Sequence, residues 1–156
     1  MFVYRYINNK YVKFINKMRI LNLKLLGAQI GNNVKSYGRF TVMNAKNLTI
    51  GDNTTINEGV HINCRDKVII GKDVRISTNV QIHTGKLILS TYPRIHTQSA
   101  IVISNNVWIA SGTIISAGVT VGSNSVVGAN SVVLKNLESN TLFVGNPLKK
   151  IKKLDD

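Results

Sequence analysis

An apolar residue recurs at every sixth position in the second half of this chain, and this spacing is its most constraining feature. The repeated positions are Ile103, Ile109, Ile115, Val121, Val127 and Val133. An amphipathic helix repeats its apolar positions every 3.6 residues and a half-buried strand every two, so neither explains the pattern. A period of six is typical of a parallel β-helix, in which each unit contributes a short strand and one inward aliphatic side chain. The predicted fold class is therefore an all-β solenoid.

The same spacing runs through the first half of the chain, with two irregularities. The inward positions there are predicted to be Ile50, Ile56, Ile62, Ile70, Ile76 and Ile82, after a weaker series at Ile30, Ser36, Val42 and Leu48. A step of eight after Ile62 predicts a bulge at residues 65–67. After Ile82 the next repeat comes 21 residues later, which predicts a loop that protrudes near residues 84–100. Long insertions in compact proteins usually carry function or bind partners.

Residues 1–26 precede the repeats and are predicted to form an amphipathic helix, whereas residues 27–156 form the solenoid domain and its basic C-terminal tail. The apolar face of the helix would carry Tyr4, Ile7, Tyr11, Phe14, Ile15, Met18 and Leu25. Such a helix can cover the open end of a solenoid, which repeat proteins must protect. It can also lie on an anionic membrane surface. The two roles are compatible.

The charge balance indicates an anionic partner. The chain has 20 Lys and Arg against 7 Asp and Glu, and no acidic residue precedes Asp52. A nucleic acid is not the expected partner, because aromatic residues do not alternate with the basic stretches and no nucleic-acid-binding motif is present. The single cysteine, Cys64, excludes an intramolecular disulfide and fits a cytoplasmic location. The N-terminus lacks the pattern of a signal peptide, and no stretch of eighteen apolar residues predicts a membrane span.

Three stretches taken together resemble a known family. They are LTIGDNTTINEGVHINCRDKVIIGKDVRISTNVQIHTG, IVISNNVWIASGTIISAGVTVGSNSVVGANSVVLKNL and VGNPLKKIKK. In this order they are similar to the left-handed β-helix acetyltransferases of the hexapeptide family, and especially to the maltose/galactoside and the capsular or colanic-acid O-acetyltransferases. The resemblance covers roughly residues 28–153. It implies a left-handed coil, a homotrimer, and acetyl-CoA as the acetyl donor, bound between neighbouring subunits.

The resemblance also implies which residues bind the coenzyme. The matching positions are Ser111, Ala129, Lys135, Lys149 and Lys152. Ser111 and Ala129 would contact the pantetheine arm, and the lysines would lie near the phosphates, for which ammonium groups are suitable partners. At position 134 the family commonly has Thr, and here Leu replaces it. One side-chain hydrogen bond of the family is therefore absent.

The catalytic base is missing from the position at which the family places it. The family often has T-G-x-H at the start of the loop, with His as the base, but residues 84–87 read TGKL. Histidine suits the role because its pKa lies near neutral pH. We therefore consider the three histidines of the chain. His96, inside the loop, is the first candidate; His83 is the second, and His61 is the least favoured.

The acceptor implied by the resemblance is a sugar hydroxyl, in a surface polysaccharide or its lipid-linked precursor. Asn57 matches the residue that binds acceptor in the sugar O-acetyltransferases, and an amide can both donate to and accept from a hydroxyl. Asn is also favoured at β-helix corners for purely structural reasons.

Several alternatives stay open at this point. An amino-sugar N-acetyltransferase would use the same site. Leu87 favours a family member without activity. A γ-type carbonic anhydrase would use three histidines to bind zinc, but its H-x4-H pair is missing, so no metal is expected.

Overall fold

The structure, a computed structural model, describes residues 2–154, and side chains from residue 10 onward. The first element is helix α1 (Phe2–Leu25). The apolar residues Tyr4 and Ile7 of the predicted helix face lie outside the described side chains. Within the described residues, no helix has the length and apolar character needed to cross a membrane.

After α1 the chain winds into a parallel β-solenoid of about six turns, which confirms the predicted fold class. Three sheets form its faces. Sheet A contains β1 (Gln29–Ile30), β4 (Leu48–Ile50), β7 (Val68–Ile70), β12 (Ile101–Ile103) and β15 (Thr120–Val121). Sheet B contains β2 (Lys35–Tyr37), β5 (Thr55–Asn57), β8 (Arg75–Ile76), β13 (Trp108–Ile109), β16 (Val126–Val127), β18 (Thr141–Val144) and β19 (Lys149–Lys153). Sheet C contains β3 (Thr41–Met43), β6 (His61–Asn63), β9 (Gln81–His83), β14 (Ile114–Ile115) and β17 (Val132–Val133).

Each coil visits the sheets in the order A, B, C, so the solenoid has three edges, which we call A–B, B–C and C–A. Within each sheet, strands of successive coils pair in parallel. The exception is β19, which turns back to pair with β18 antiparallel. Two further strands, β10 (Gly85–Ile88) and β11 (Ile95–Gln98), pair only with each other.

The residues predicted to point inward form the core. From Ile50 onward the six-residue series is 0–1% exposed throughout. Full burial of one such side chain stabilises the folded state by about 1.5–3 kcal/mol. Some small polar residues share this interior, and their hydroxyls bond to backbone carbonyls. Thr113 donates to the Gly128 oxygen at 3.1 Å and Ser125 to the Glu138 oxygen at 2.9 Å. These bonds explain why polar side chains are tolerated inside the solenoid.

The early coils contain twenty residues, the coils after the hairpin eighteen, and the last coil sixteen, since Val127 pairs with Phe143. Ile50 pairs with Ile70 in sheet A, whereas Ile103 pairs with Val121. The two extra residues lie at the C–A edge. Arg65 and Asp66 form the predicted bulge as a bend. In the preceding coil a 3-10 helix, η1 (Ala45–Asn47), occupies the same edge. The predicted inward residue Leu48 is buried, as is Ile50, which pairs in register with Ile70.

Helix α1 covers the open end of the first coil. Asn16, Ile20 and Leu23 are buried there. The helix ends where Gly27 adopts φ +91° and the Ala28 N–H donates to the Leu23 carbonyl oxygen at 3.0 Å. This arrangement satisfies a carbonyl of the last helical turn and directs the chain into β1.

Candidate functional site

The insertion at residues 84–100 is a β-hairpin, whereas the sequence predicted a loop. β10 and β11 are antiparallel. The hairpin leaves the C–A edge after Thr84 and returns at Ser99, whose N–H donates to the Thr84 carbonyl oxygen at 2.9 Å. This hydrogen bond closes the coil below the hairpin. The hairpin therefore projects from one fixed point of the solenoid.

His96 lies directly opposite Leu87 in this hairpin. Side chains of directly opposed residues in an antiparallel pair extend from the same face, with Cβ atoms about 4.5–5.5 Å apart. His96 therefore presents its imidazole on the face from which a histidine at position 87 would project. Both side chains are exposed. The chain thus has a histidine one strand away from the position where the resemblance implies the base.

His83 is the last residue of β9 and lies at the base of the hairpin. It is half-buried, and its Nε2 atom is 3.1 Å from Gln81 Oε1. Because an amide oxygen only accepts, this contact requires Nε2 to carry hydrogen and leaves Nδ1 as the basic atom. Burial lowers the pKa of His83 below its ordinary value, and the nearby His61 lowers it further. The two rings are 5.4 Å apart between centroids.

Three residues that the sequence analysis did not single out also lie at the base of the hairpin. The Asp66 N–H donates to Thr84 Oγ1 at 3.0 Å. Beside it, the Arg65 side chain packs close to Gly85. Asn63 pairs in register with His83, and its buried Oδ1 has no hydrogen-bond partner among the described residues. In the sequence these residues look like a structural bulge, and only the fold brings them next to the insertion.

Two of the residues predicted to bind coenzyme lie together on the B–C edge. Ser111 and Ala129 occupy equivalent positions of successive coils and are exposed. The Asn130 N–H donates to the Ser111 carbonyl oxygen at 2.9 Å, and Thr78 Oγ1 donates to Ser111 Oγ at 3.0 Å. The sequence analysis did not single out Thr78, because its link to Ser111 crosses one coil.

The three predicted lysines lie elsewhere in the late coils. Lys135 follows β17 at the C–A edge, so sheet C separates it from Ser111 and Ala129. Lys149 and Lys152 lie on β19, at the end of sheet B. All three are exposed. The five positions thus border the outer surface of the last coils on two sides of the solenoid.

Asn57 ends β5 on sheet B, on the same side of the solenoid as Ser111 and Ala129. Its Nδ2 donates to the Ile76 carbonyl oxygen at 2.8 Å, so one amide N–H links two neighbouring coils. This bond accounts for an Asn at this corner. The amide has a second N–H and a carbonyl oxygen for any other contact.

The predicted site residues of a single chain lie on two different edges. Asn57, Ser111 and Ala129 belong to the B–C edge, whereas the hairpin and His83 belong to the C–A edge. A three-residue strand of sheet C lies between these edges, a width of about 10 Å. Within one chain the two groups of predicted residues therefore lie on opposite margins of sheet C.

Metal ligands are not grouped in the described part of the chain. No group of three or more His, Cys, Asp and Glu residues there could hold a metal ion. His61 and His83 are neighbours, but His96 lies on the hairpin. The buried Cys64 is also a poor metal ligand, because burial raises the pKa of its thiol to about 12 and so disfavours the thiolate that a metal binds.

Comparisons with known proteins agree with this architecture. The family model described as bacterial transferase hexapeptide (six repeats) matches residues 100–135. No curated protein matches the chain. Among solved structures, a hexapeptide-repeat acetyltransferase from Vibrio cholerae O1 biovar eltor, complexed with acetyl coenzyme A, is 32% identical, with a TM-score of 0.83. That alignment covers 90% of this chain and 78% of the other.

Two further solved structures are sugar acetyltransferases. A maltose O-acetyltransferase from Clostridium difficile 630 is 31% identical with a TM-score of 0.84, over 95% of this chain and 84% of the other. A galactoside acetyltransferase in complex with coenzyme A is 30% identical with a TM-score of 0.81, over 90% of this chain and 72% of the other.

Proposed function

This chain belongs to the hexapeptide-repeat acetyltransferases, and from that membership we propose that it transfers an acetyl group from acetyl-CoA to a sugar hydroxyl. Two of the similar structures are named for sugar acceptors, and two were solved with acetyl-CoA or CoA. The observation that carries the proposal in this chain is the pairing of His96 with Leu87. It supplies a general base near the family position that here lacks one.

His96 acts as the base in this proposal. Its neutral imidazole removes the proton from the sugar hydroxyl while the hydroxyl oxygen attacks the thioester carbonyl carbon. The carbon–sulfur bond then breaks, the acetyl group stays on the sugar oxygen, and the proton passes to the coenzyme A sulfur. A backbone N–H group at the coenzyme-binding surface stabilises the negative charge that develops on the carbonyl oxygen.

His83 is the second candidate for the base. Its lowered pKa keeps the ring neutral near pH 7, and Gln81 directs the hydrogen to Nε2. Its disadvantage is geometric, because it is half-buried at the base of the hairpin whereas His96 is exposed. Activity measurements on an alanine variant of each residue distinguish the two candidates.

The donor lies along the late coils, between two subunits of a homotrimer. Ser111 and Ala129 contact the pantetheine arm, and Lys135, Lys149 and Lys152 bind the phosphates. The separation of Asn57 from the hairpin within one chain is consistent with this arrangement, in which a neighbouring subunit would bring the two edges together. Leu134 replaces the Thr of the family. Its side chain is 71% exposed and adds apolar surface next to Lys135.

The acceptor is a sugar of a surface polysaccharide or of its lipid-linked precursor, and Asn57 orients the reacting hydroxyl. The cationic first part of the chain supports an acceptor that carries phosphate. We place the reaction in the cytoplasm, in keeping with a chain that has a single, buried cysteine.

The proposal is tested by measuring thiol release from acetyl-CoA with a panel of oligosaccharides, nucleotide sugars and amino sugars. We expect sugar-dependent release by the unmodified protein and a loss of roughly 10²–10⁴-fold in His96→Ala. His61→Ala is the matched control and should keep activity. If no acceptor gives thiol release, the proposed function is wrong. If amino sugars alone react, the enzyme is an N-acetyltransferase.

A cross-strand exchange tests the position of the base directly. In the double variant Leu87→His/His96→Leu the imidazole moves to the opposite strand but stays on the same face of the hairpin. We expect activity well above that of His96→Leu alone. A double variant as inactive as the single one, with normal coenzyme binding, contradicts the assignment of His96.

A further inference from the structure

Helix α1 has two apolar faces, and the solenoid covers only one of them. Asn16, Ile20 and Leu23 face the first coil and are buried. Among the side chains described from residue 10 onward, the other face carries large apolar residues that are 44–79% exposed, and we call these the outer stripe: Phe14, Met18, Leu21 and Leu25. Their spacing of four, three and four residues places them within about 60° of the helix circumference. The outer stripe is therefore one continuous apolar surface.

Lysines border the outer stripe on one side. Lys13, Lys17 and Lys24 fall between the outer stripe and the buried face of the helix. An open groove of about 880 Å³ separates this side of α1 from the first coil, which contributes Lys35 to it. Apolar side chains, among them Ile20, line the groove between the lysines, and none of the described residues that line it is Asp or Glu. The groove thus combines four positive charges with an apolar floor.

Within residues 2–154, which the structure describes, none of these lysines forms an ion pair. Helix α1 contains no Asp or Glu. The carboxylate of Asp52 on the second coil is 3.6 Å from Lys72 Nζ and accepts a hydrogen bond from the Asn32 N–H at 2.7 Å. The positive charge along the groove is therefore complementary to an anionic partner.

We propose that the outer stripe and the lysine groove form a docking surface for a bilayer that contains acidic phospholipids. The outer stripe enters the boundary of the acyl chains, and Lys13, Lys17, Lys24 and Lys35 bind the lipid phosphates. Lysine stems suit this position because they cover apolar surface while their ammonium groups stay in water. This surface is separate from the hairpin, and the proposal does not depend on acetyl transfer.

Other partners match only part of this surface. A nucleic acid would match the lysines but leave the outer stripe exposed to water. A second copy of the chain would cover the outer stripe but bring two rows of lysines together, which is unfavourable. An acidic bilayer satisfies both the apolar and the charged part.

Flotation with lipid vesicles tests the proposal on the full chain. We expect binding to vesicles of phosphatidylcholine and phosphatidylglycerol at low salt, and weaker binding at high salt or to phosphatidylcholine alone. The triple variant Lys13→Gln/Lys17→Gln/Lys24→Gln should bind roughly 100-fold more weakly. The double variant Phe14→Ser/Leu25→Ser should also lose at least roughly tenfold in affinity for the vesicles.

Two matched variants control for net charge and for folding. Lys67→Gln/Arg75→Gln/Lys86→Gln removes three exposed charges from the solenoid and should bind like the unmodified protein. Lys13→Arg/Lys17→Arg/Lys24→Arg keeps the charge and should also bind. The proposal is overturned if the unmodified protein does not float, if it binds neutral vesicles equally well, or if the control triple variant loses as much binding.

Competition with inorganic phosphate at constant ionic strength separates a lipid surface from a site for free phosphate. Vesicle binding should persist, because phosphate does not replace the apolar contacts of the outer stripe. Complete displacement by phosphate overturns the proposal and assigns the groove to a small anion.

Discussion

At the residue scale, the proposed chemistry of the chain depends on a few histidine nitrogens. His83 illustrates how neighbours prepare a ring for proton transfer: Gln81 fixes which nitrogen carries hydrogen, and burial favours the neutral form. His96 lacks such a partner in the described structure and stands exposed on the hairpin. A bound acceptor would have to supply its orientation, which is common for catalytic groups before substrate binds.

The pKa of His83 gives the first prediction. We expect NMR titration to place it below the ordinary histidine value of about 6.5. In His61→Asn it should rise but stay below that value, because burial, the larger cause, remains. A pKa of His83 at or above the ordinary value in the unmodified protein would contradict the structure.

The same shift affects stability. The unfolded chain binds this proton more readily than the folded chain, so protonation of His83 favours unfolding. The resulting decrease in the free energy of unfolding is absent above about pH 6.5. It grows as the pH falls below that value and levels off below the folded-state pKa. Urea unfolding of His83→Gln should therefore lose part of the acid destabilisation that the unmodified protein shows between pH 7 and the folded-state pKa. An unchanged pH profile would argue against this linkage.

Cys64 should be chemically inert while the chain is folded. It is fully buried, and burial raises the pKa of its thiol to about 12, so the reactive thiolate is scarce near neutral pH. A thiol reagent should label it only after denaturation. Rapid labelling of the native protein would show that the C–A edge opens.

At the element scale, β14 allows a prediction with an internal control. Ile115 is 0% exposed and faces the core, whereas the adjacent Ile114 faces outward and is only half-buried. Ile115→Ala should lower the free energy of unfolding by about 2–5 kcal/mol, through lost burial and the cavity left behind. Ile114→Ala should cost clearly less in urea unfolding. Equal losses would mean that the inward and outward positions are misassigned.

The B–C edge contains a position at which glycine is strongly favoured. Gly112 has φ +71°, and a Cβ atom there would lie 2.2 Å from Asn130 Oδ1 in the next coil. Gly112→Ala should therefore cost more than the roughly 1–2 kcal/mol of the left-handed conformation alone. Gly85→Ala, where φ is not positive and the nearest atom is 3.3 Å away on a flexible arginine, serves as the control in thermal unfolding.

The coils could be predicted from sequence because one face of each of their strands meets the same narrow core. Ile103 and its equivalents repeat for that reason alone. The hairpin could not be predicted, because residues 85–88 and 95–98 have no common buried face and their pairing is with each other. For the same reason the sequence predicts His96 as a candidate base but does not predict its pairing with Leu87. Asn63, Arg65 and Asp66 were missed because contact across coils has no signature in a single sequence.

At the scale of the whole molecule, the division of the predicted site between two edges leads to a test by subunit mixing. In the proposed trimer each site combines Asn57 of one subunit with the hairpin of its neighbour. Asn57→Ala and His96→Ala trimers should each be weakly active. Random mixed trimers should regain about a quarter of the normal activity, because that share of sites receives both intact residues. No recovery on mixing would place the site within one chain.

The hydrogen bond between Thr84 and Ser99 has a consequence for how such chains diversify. It completes the coil beneath the hairpin, and β12 still pairs with β7 in register across the insertion. The scaffold therefore places almost no requirement on the length or composition of the segment between these two residues. Selection can rewrite that segment, and with it the surface that the hairpin presents, while the coils stay unchanged.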